Sequence, residues 1–504
     1  MADPLSAPHV RLLEHDVDDV KPTPQRFYVL FVYFWACFVQ GIVWTPLSAL
    51  PTQACAAFPA LSDGTSASSA LIFWSLNLGP LVYIPVAPFA AWLLTTRGGL
   101  RRTVRLGLLF SSVCASLRLC VLASAEFRAS TAAGVLLLLS GAFCGVAAPF
   151  TQGSPARLSA VWFPASERTR ATAAGYLGTY FGSAASYVVS PGLVRAGVQM
   201  AGNAASDDSA DSCADAAKSG ASGALLSQFE TLIWLEAVLC WVPLVLSLLY
   251  FPESPAEVEG VSTAGDSDKH ATGASVENDA TATVGAEPKD NQSSFAENCR
   301  GLLRNRDFLL IVLSCGFVQG FYSSWGASLA LVLGQINITT ADADELAFIG
   351  TLTYVVGSYA LGEAADRFLR RKLKALIIAL LAGGICTFLW FGLSVDSIKR
   401  GFHPIPSTLT SQAVAIALAG FLIGGTAGLY MELAAETAFP IPEGFASNAI
   451  GLAINVTGCI CLAIFPYVPA VWVNPIMFMV MLVCLLLIVL VRERYRRADA
   501  ADTD

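Results

Sequence analysis

A chain of 504 residues that is 55% hydrophobic and 13% charged, with a mean hydropathy of +0.60, has the composition of neither a soluble globular protein nor a disordered one. Its net charge of −8 says little about partners, because ten acidic residues fall in one stretch, Pro252 to Asn298, beside two lysines and a single aromatic, Phe295; no nucleic acid partner is expected. Thirteen cysteines make no disulfide framework, since Cys37, Cys114, Cys144, Cys315, Cys459 and Cys461 all fall inside apolar runs.

The first 26 residues are polar and lack an apolar core, so a cleaved signal is not expected and the first span inserts itself. Windows of about 20 apolar residues, enough to cross about 30 Å of hydrocarbon, then recur twelve times. Six lie near residues Phe27 to Leu50, Ala70 to Leu94, Val104 to Ala123, Ala132 to Phe150, Thr172 to Val194 and Leu226 to Phe251. The acidic stretch interrupts the series and is expected to be disordered, having too little apolar surface to offset chain entropy. Six more lie near Leu309 to Leu333, Phe348 to Ala365, Leu373 to Leu393, Ala413 to Leu433, Ser447 to Pro466 and Val471 to Val491. The expected domains are a tail 1–26, a six-helix bundle 27–251, an acidic linker 252–306, a second bundle 307–492 and a tail 493–504.

The two bundles echo one another. Phe38-Val39-Gln40-Gly41 returns as Phe317-Val318-Gln319-Gly320, and Phe163-Pro164 with Glu167, Ala173 and Gly175 returns as Phe439-Pro440 with Glu443, Ala449 and Gly451. The offsets, 279 and 276 residues, nearly agree. Like-oriented repeats in a membrane chain place a site between two halves related by an axis along the membrane normal. The expected fold is therefore an all-α membrane protein of twelve transmembrane helices in two pseudo-symmetric six-helix bundles.

Lysines and arginines set the orientation. Alternate loops carry Arg97, Arg101, Arg102 and Arg105, then Arg157, Arg168 and Arg170, then Arg367, Arg370 and Arg371, while the intervening loops carry few; both termini and the linker are expected in the cytosol. The sequon Asn337-Ile338-Thr339 falls in an expected outer loop, and Cys55 and Cys213, also in outer loops, are open to a disulfide or to remaining free. None of the four histidines lies in a span, and neither a metal site nor a nucleophile–base constellation is present. No cofactor is expected, the partners are a small-molecule solute and the lipid bilayer, and the chain is expected to be a monomer rather than an enzyme.

Polar groups inside spans are costly and mark candidates for function. Gln40 and Gln319 occupy repeat-related positions, as pathway residues or as hydrogen-bonded packing amides. Arg118 and Glu236 form a structural ion pair, or Glu236 titrates for proton coupling. Glu432 and Glu436 sit one turn apart near the inner end of the tenth span, for gating or packing. Gly79-Pro80 is expected to interrupt the second span, while Gly175, Gly178 and Gly182 form a close-packing stripe on the fifth.

Gly362-Glu363-Ala364-Ala365-Asp366-Arg367, at the inner end of the eighth span, resembles the signature loop of the major facilitator superfamily, with Asp366 and Arg367 as gate residues. The equivalent loop of the first half has Thr95 where that family usually has an acid. Gln40 through Trp44, then Trp162-Phe163-Pro164-Ala165-Ser166-Glu167-Arg168, Glu432, Glu436 and Pro440-Ile441-Pro442-Glu443-Gly444 narrow the likeness. These stretches resemble the feline leukaemia virus subgroup C receptor-related transporters, and within them the disrupted-in-renal-carcinoma branch. The likeness covers about Arg26 to Tyr495 without the acidic stretch.

That resemblance implies alternating access, as uniport or proton-linked transport, of a choline- or ethanolamine-like amine or a vitamin B6-like compound. It leaves a haem exporter or a non-transporting receptor as alternatives. The choline-handling members enclose a quaternary ammonium with a tryptophan and a tyrosine, matched here by Trp44 and Tyr322; an aromatic face attracts such a cation by about 2 kcal/mol or more when water is excluded. Where those members carry glutamines, this chain has Tyr180 and Asn455, which suit a ring-bearing or hydroxylated solute as well. Glu167 and Arg168 match the inner loop after the fourth span and are grouped with the gate. The resemblance also implies a plasma membrane or a lysosomal or vacuolar membrane.

Overall fold

A computed structural model describes residues 23–44, 50–58, 60, 70–96, 98–164, 167–194, 223–255, 295–327, 329, 333, 340–368, 371–395, 408–441 and 443–495. Among them are twelve helices of 20 residues or more and no strand. In chain order these are α1 (Gln25–Trp44), α2 (Ala70–Leu94), α3 (Gly99–Val121), α4 (Thr131–Gln152), α5 (Arg168–Val194), α6 (Gly223–Leu249), α7 (Arg306–Ala327), α8 (Thr340–Phe368), α9 (Leu373–Ser394), α10 (Leu409–Ala438), α11 (Glu443–Ile464) and α12 (Ala470–Leu490). By length and composition, nine helices among the described residues are apolar enough to cross a membrane. Of the other three, α2 is apolar over Leu78–Leu94, while α5 and α8 are the more polar helices that meet between the halves.

Each half has its own core. Val29, Val32, Tyr33, Leu108 and Trp162 anchor the first, and Ile311, Phe391, Tyr430 and Met481 the second. Within the halves, α1 packs on α5 and α7 on α11; across them, α2 meets α11 and α5 meets α8.

The repeated Gln-Gly pair does the same work twice. Gln40 Nε2 donates to the Cys144 carbonyl of α4 at 2.9 Å, and Gln319 Nε2 to the Ile423 carbonyl of α10 at 3.3 Å; both bonds span the same 104 residues. A Cβ on Gly41 would collide with the Thr179 carbonyl of α5, and one on Gly320 with the Ile454 carbonyl of α11. The glycines of α5 pack as the stripe requires: Gly178 and Gly182 lie against the backbone of α1 at Phe34 and Phe38.

The start of every odd helix and the end of every even one for which a tie is known lie at one end of the molecule, the arginine-bearing end. The Leu100 and Arg101 amides at the start of α3 donate to Glu253, beyond α6, at 3.1 and 2.8 Å. The Lys374 amide at the start of α9 donates to Glu493, beyond α12, at 3.0 Å. In return Arg105 Nε donates to the Ser247 carbonyl at the end of α6, and Lys374 Nζ to the Val489 and Val491 carbonyls at the end of α12. A carboxylate on free N–H groups and a cation on free carbonyls satisfy both helix ends and their dipoles. Tyr495 donates to Glu493 and accepts from the Leu373 amide; burial first, then the bond to Glu493, pushes its phenol above the ordinary tyrosine range.

Two expectations are corrected. Gly79-Pro80 does not interrupt α2, which runs through Pro80, Pro85 and Pro88 as one helix. Gly79 is instead a contact point, since a Cβ on Gly145 of α4 would collide with its carbonyl, and packing on both sides holds the proline-bearing turns. The linker 252–306 is not unstructured throughout, because Phe295–Arg304 is a helix. Phe295 packs on Phe445 with ring centroids 5.3 Å apart, and Asn298 and Leu302 are buried, which supplies what the acidic composition lacks. Residues 256–294, Cys213 and Asn337 lie outside the described residues, as does the Cys55 side chain.

Candidate solute cavity

Between the halves lies a cavity of about 240 Å³. Its wall runs from Gln152 at the end of α4 toward the end remote from the arginines, where Tyr187, Leu346 and Leu462 border it. All six side chains singled out from the sequence as substrate contacts stand on this wall: Gln40, Trp44, Tyr180, Gln319, Tyr322 and Asn455.

Trp44 is the last residue of α1, and its indole lies on the bare face of Gly79; a Cβ there would be 3.1 Å from Trp44 Cη2. Tyr322 lies among stacked rings, with Trp325 at 6.0 Å and 27° and Tyr354 at 5.9 Å and 15°. Trp325 is fixed by its Nε1 donating to Asn474 Oδ1 at 2.9 Å. Gly350 passes close to the Tyr322 hydroxyl, which a Cβ would approach to 3.5 Å. Asn455 Nδ2 donates to the Gly451 carbonyl one turn back at 2.9 Å, so the amide offers its oxygen as an acceptor.

Tyr180 crosses the boundary between the halves. Its ring lies 4.5 Å from that of Tyr354 at 34°, with the two hydroxyls 3.0 Å apart. No described side chain on the wall carries a formal charge. Such a wall offers a cation ring faces and neutral oxygen acceptors, and offers an anion no ionic partner.

The other described side chains singled out from the sequence stand away from the cavity. Arg118 and Glu236 are buried against each other, Nη1 to Oε2 2.8 Å, inside the first half. Glu167 pairs with Arg26 at 2.9 Å, and the guanidinium of Arg26 lies over the Phe27 and Phe163 rings. Glu436 is buried and Glu432 half-buried near the arginine-bearing end of α10. Arg367 turns back onto Glu363 one helical turn earlier, Nη2 to Oε1 2.6 Å. The side chains of Asp366 and Arg168 lie outside the described residues.

Sequence reasoning missed the contacts that cross between the halves. Glu363 of α8 receives Arg170 of α5 at 3.1 Å, so the crossing carboxylate is a residue of the quoted loop that was given no role. Tyr354 was missed too, and the only signal for it was an aromatic on the helix already marked as a gate.

A family model described as Major Facilitator Superfamily matches residues 29–466. The chain is 27% identical over 475 residues to the solute carrier family 49 member 4 homolog of Xenopus tropicalis, covering 94% of this chain and 92% of that one. It is 24% identical over 450 residues to the choline/ethanolamine transporter FLVCR1 of Felis catus, covering 87% and 68%. These relatives match the transporter family read from the Gln-Gly-x-Val-Trp and Pro-x-Pro-Glu-Gly stretches. In fold it resembles the crystal structure of the E. coli fucose:proton symporter FucP, with a TM-score of 0.59 at 14% identity over 92% of this chain and 99% of that one. The D-xylose–proton symporter structure gives 0.58 at 14% identity over 93% and 98%. The chain belongs to the Major Facilitator Superfamily, the membrane transporters that carry small solutes.

Proposed function

We propose that this protein carries a small hydroxylated organic solute, a choline- or ethanolamine-like amine or a vitamin B6-like compound, by alternating access. Residues 27–251 rock against 307–492 around the aromatic cavity, with 252–306 joining them, and the arginine-bearing end and both termini face the cytosol. The membrane is the plasma membrane or a lysosomal or vacuolar one.

The observation that carries this reading is the cavity wall: Trp44, Tyr180, Tyr322 and Tyr354 supply ring faces, Gln40, Gln319 and Asn455 supply amides, and no described wall residue is charged. A trimethylammonium group or a pyridine ring finds π surface there, and a solute hydroxyl finds amides and phenols. The volume of about 240 Å³ lies below the roughly 300–1,000 Å³ of drug-sized sites, which favours a compact solute over a haem macrocycle. The name borne by the FLVCR1 relative, a choline/ethanolamine transporter, supports the amine.

Uptake of labelled choline, ethanolamine and pyridoxine into proteoliposomes at two external pH values tests the reading and separates uniport from proton linkage. Saturable uptake of one of them above empty vesicles is expected. Specific binding without uptake of any favours a receptor that keeps the fold.

A further inference from the structure

We propose that the Tyr180–Tyr354 pair is the inner gate of the cavity, and that a solute hydroxyl opens it by taking the place of Tyr180 on Tyr354. The inference rests on the transport reading above.

The proton inventory of the network sets up a competition. Gln319 Nε2 is engaged with the Ile423 carbonyl and with Thr426 Oγ1 at 3.1 Å, so its oxygen faces Tyr354 at 2.9 Å. An amide oxygen can only accept, and a phenol has one proton. The Tyr354 hydroxyl thus faces two acceptors, Gln319 Oε1 at 2.9 Å in its own half and Tyr180 at 3.0 Å across the boundary, and its one proton is contested between them. What Tyr354 presents across the boundary is a hydroxyl positioned by the second half. The oxygen of a solute hydroxyl can take the place of Tyr180 from the cavity while the rest of the solute lies beside Tyr322, whose ring is nearly parallel to Tyr354.

The same amide in the first half is wired inward. Gln40 Oε1 accepts from Ser111 Oγ of α3 at 3.0 Å, within its own bundle. The two repeats share the bond from the amide nitrogen and differ at the amide oxygen, and in the second half that oxygen leads to the other bundle. Packing alone would repeat.

The pair also sits where a gate must. Along α5, Arg170 lies ten residues before Tyr180; along α8, Glu363 lies nine residues after Tyr354. At 1.5 Å per residue the Arg170–Glu363 ion pair is thus roughly 15 Å nearer the arginine-bearing end, on the same two helices. Opening that end separates α5 from α8 and breaks both ties. Both tyrosines stand on the cavity wall, so a bound solute touches them.

The test uses the full-length protein in nanodiscs and the variants Tyr354→Phe, Tyr180→Phe and the double variant, which keep the rings and remove the hydroxyls. Hydrogen–deuterium exchange should rise about fivefold over residues 168–180 and 354–368 in either single variant, the factor of one ordinary hydrogen bond, and no further in the double. Unchanged exchange in both single variants, multiplied effects in the double, or a rise spread through both bundles would overturn the gate. Flux supplies a second readout: for choline, ethanolamine or pyridoxine, whichever moves, Tyr354→Phe should raise KM about fivefold and leave the maximal rate unreduced. A lowered maximal rate at unchanged KM contradicts the solute hydroxyl. If none of the three moves while the local exchange pattern holds, the gate stands and the transport reading falls; if one moves while exchange is unchanged, the reverse is true.

Discussion

Arg118 Nη2 donates to the Val43 carbonyl at 2.8 Å, and through it the buried Arg118–Glu236 ion pair grips the end of α1 one residue before Trp44. That carbonyl belongs to the last turn of the helix, where no intrahelical donor remains. Arg118 Nε meets Ser140 Oγ at 3.4 Å, so each edge of the guanidinium has a partner. An ion pair out of reach of the cavity thus positions the tryptophan that forms part of its wall. Removing one partner leaves an uncompensated charge, and Arg118→Ala or Glu236→Ala should each cost about 3–5 kcal/mol, whereas Arg118→Met with Glu236→Met should recover most of it. Thermal unfolding of the three variants in one detergent checks the cycle; a double variant as unstable as the singles combined contradicts it.

Because Glu236 does not touch the cavity, it should not set the pH response of transport. Glu236→Gln keeps the shape and the hydrogen-bonding oxygen, so the ratio of flux at two pH values should match that of the unmodified protein. A ratio that collapses to one in this variant would make Glu236 the coupling group.

Gly79 is where α2 lets the Trp44 indole lie flat. A Cβ would stand 3.1 Å from the ring, closer than ordinary contact, and a larger side chain must displace the indole. Gly79→Val should reduce flux at least about tenfold through KM, with a melting temperature near that of the unmodified protein, since overpacking at a cavity wall has room to relax. Flux kinetics beside a melting curve decide; unchanged KM would mean that the Trp44 position is not critical.

The symmetry of the repeats makes a paired prediction. Gly41→Ala and Gly320→Ala each drive a Cβ into a carbonyl of the fifth helix of their half, and each should destabilise by about 1–3 kcal/mol. Melting of the two single variants should fall by similar amounts, and a loss confined to one half would show that the shared sequence hides different packing.

Much of this was legible beforehand, for physical reasons that can be named. Membrane spans announce themselves by length and apolarity, and the Phe-Val-Gln-Gly repeat reported a shared packing geometry because both the amide and the glycine answer to neighbours in a fixed place. Trp44 and Tyr322 could be named because a rare residue type falls at a recognisable register. The crossing contacts were hidden: Tyr354 meets Tyr180 at a separation of 174 residues, and Arg170 meets Glu363 at 193, between elements whose relative placement no local pattern encodes. The Gly79-Pro80 reading failed because a proline costs one ladder bond, while helices on both sides hold the turn together.

Arg170 and Glu363 should tolerate exchange but not repulsion. Arg170→Glu alone places like charges between α5 and α8 and should raise deuterium exchange over 354–368, whereas Arg170→Glu with Glu363→Arg and Arg367→Glu, which reverses every charge of the cluster, should return it toward the original level. Persistence of the raised exchange in the swapped protein would show that the ion pair does not hold this end.

The central claim is that the aromatic cavity between the halves is where the solute binds. Flux of labelled choline, ethanolamine and pyridoxine in cells expressing the protein, compared with Trp44→Ala and Tyr322→Ala delivered in equal amount to the same membrane, tests it most directly. At least one solute should move, and each substitution should abolish its movement. Undiminished flux in both variants would contradict it.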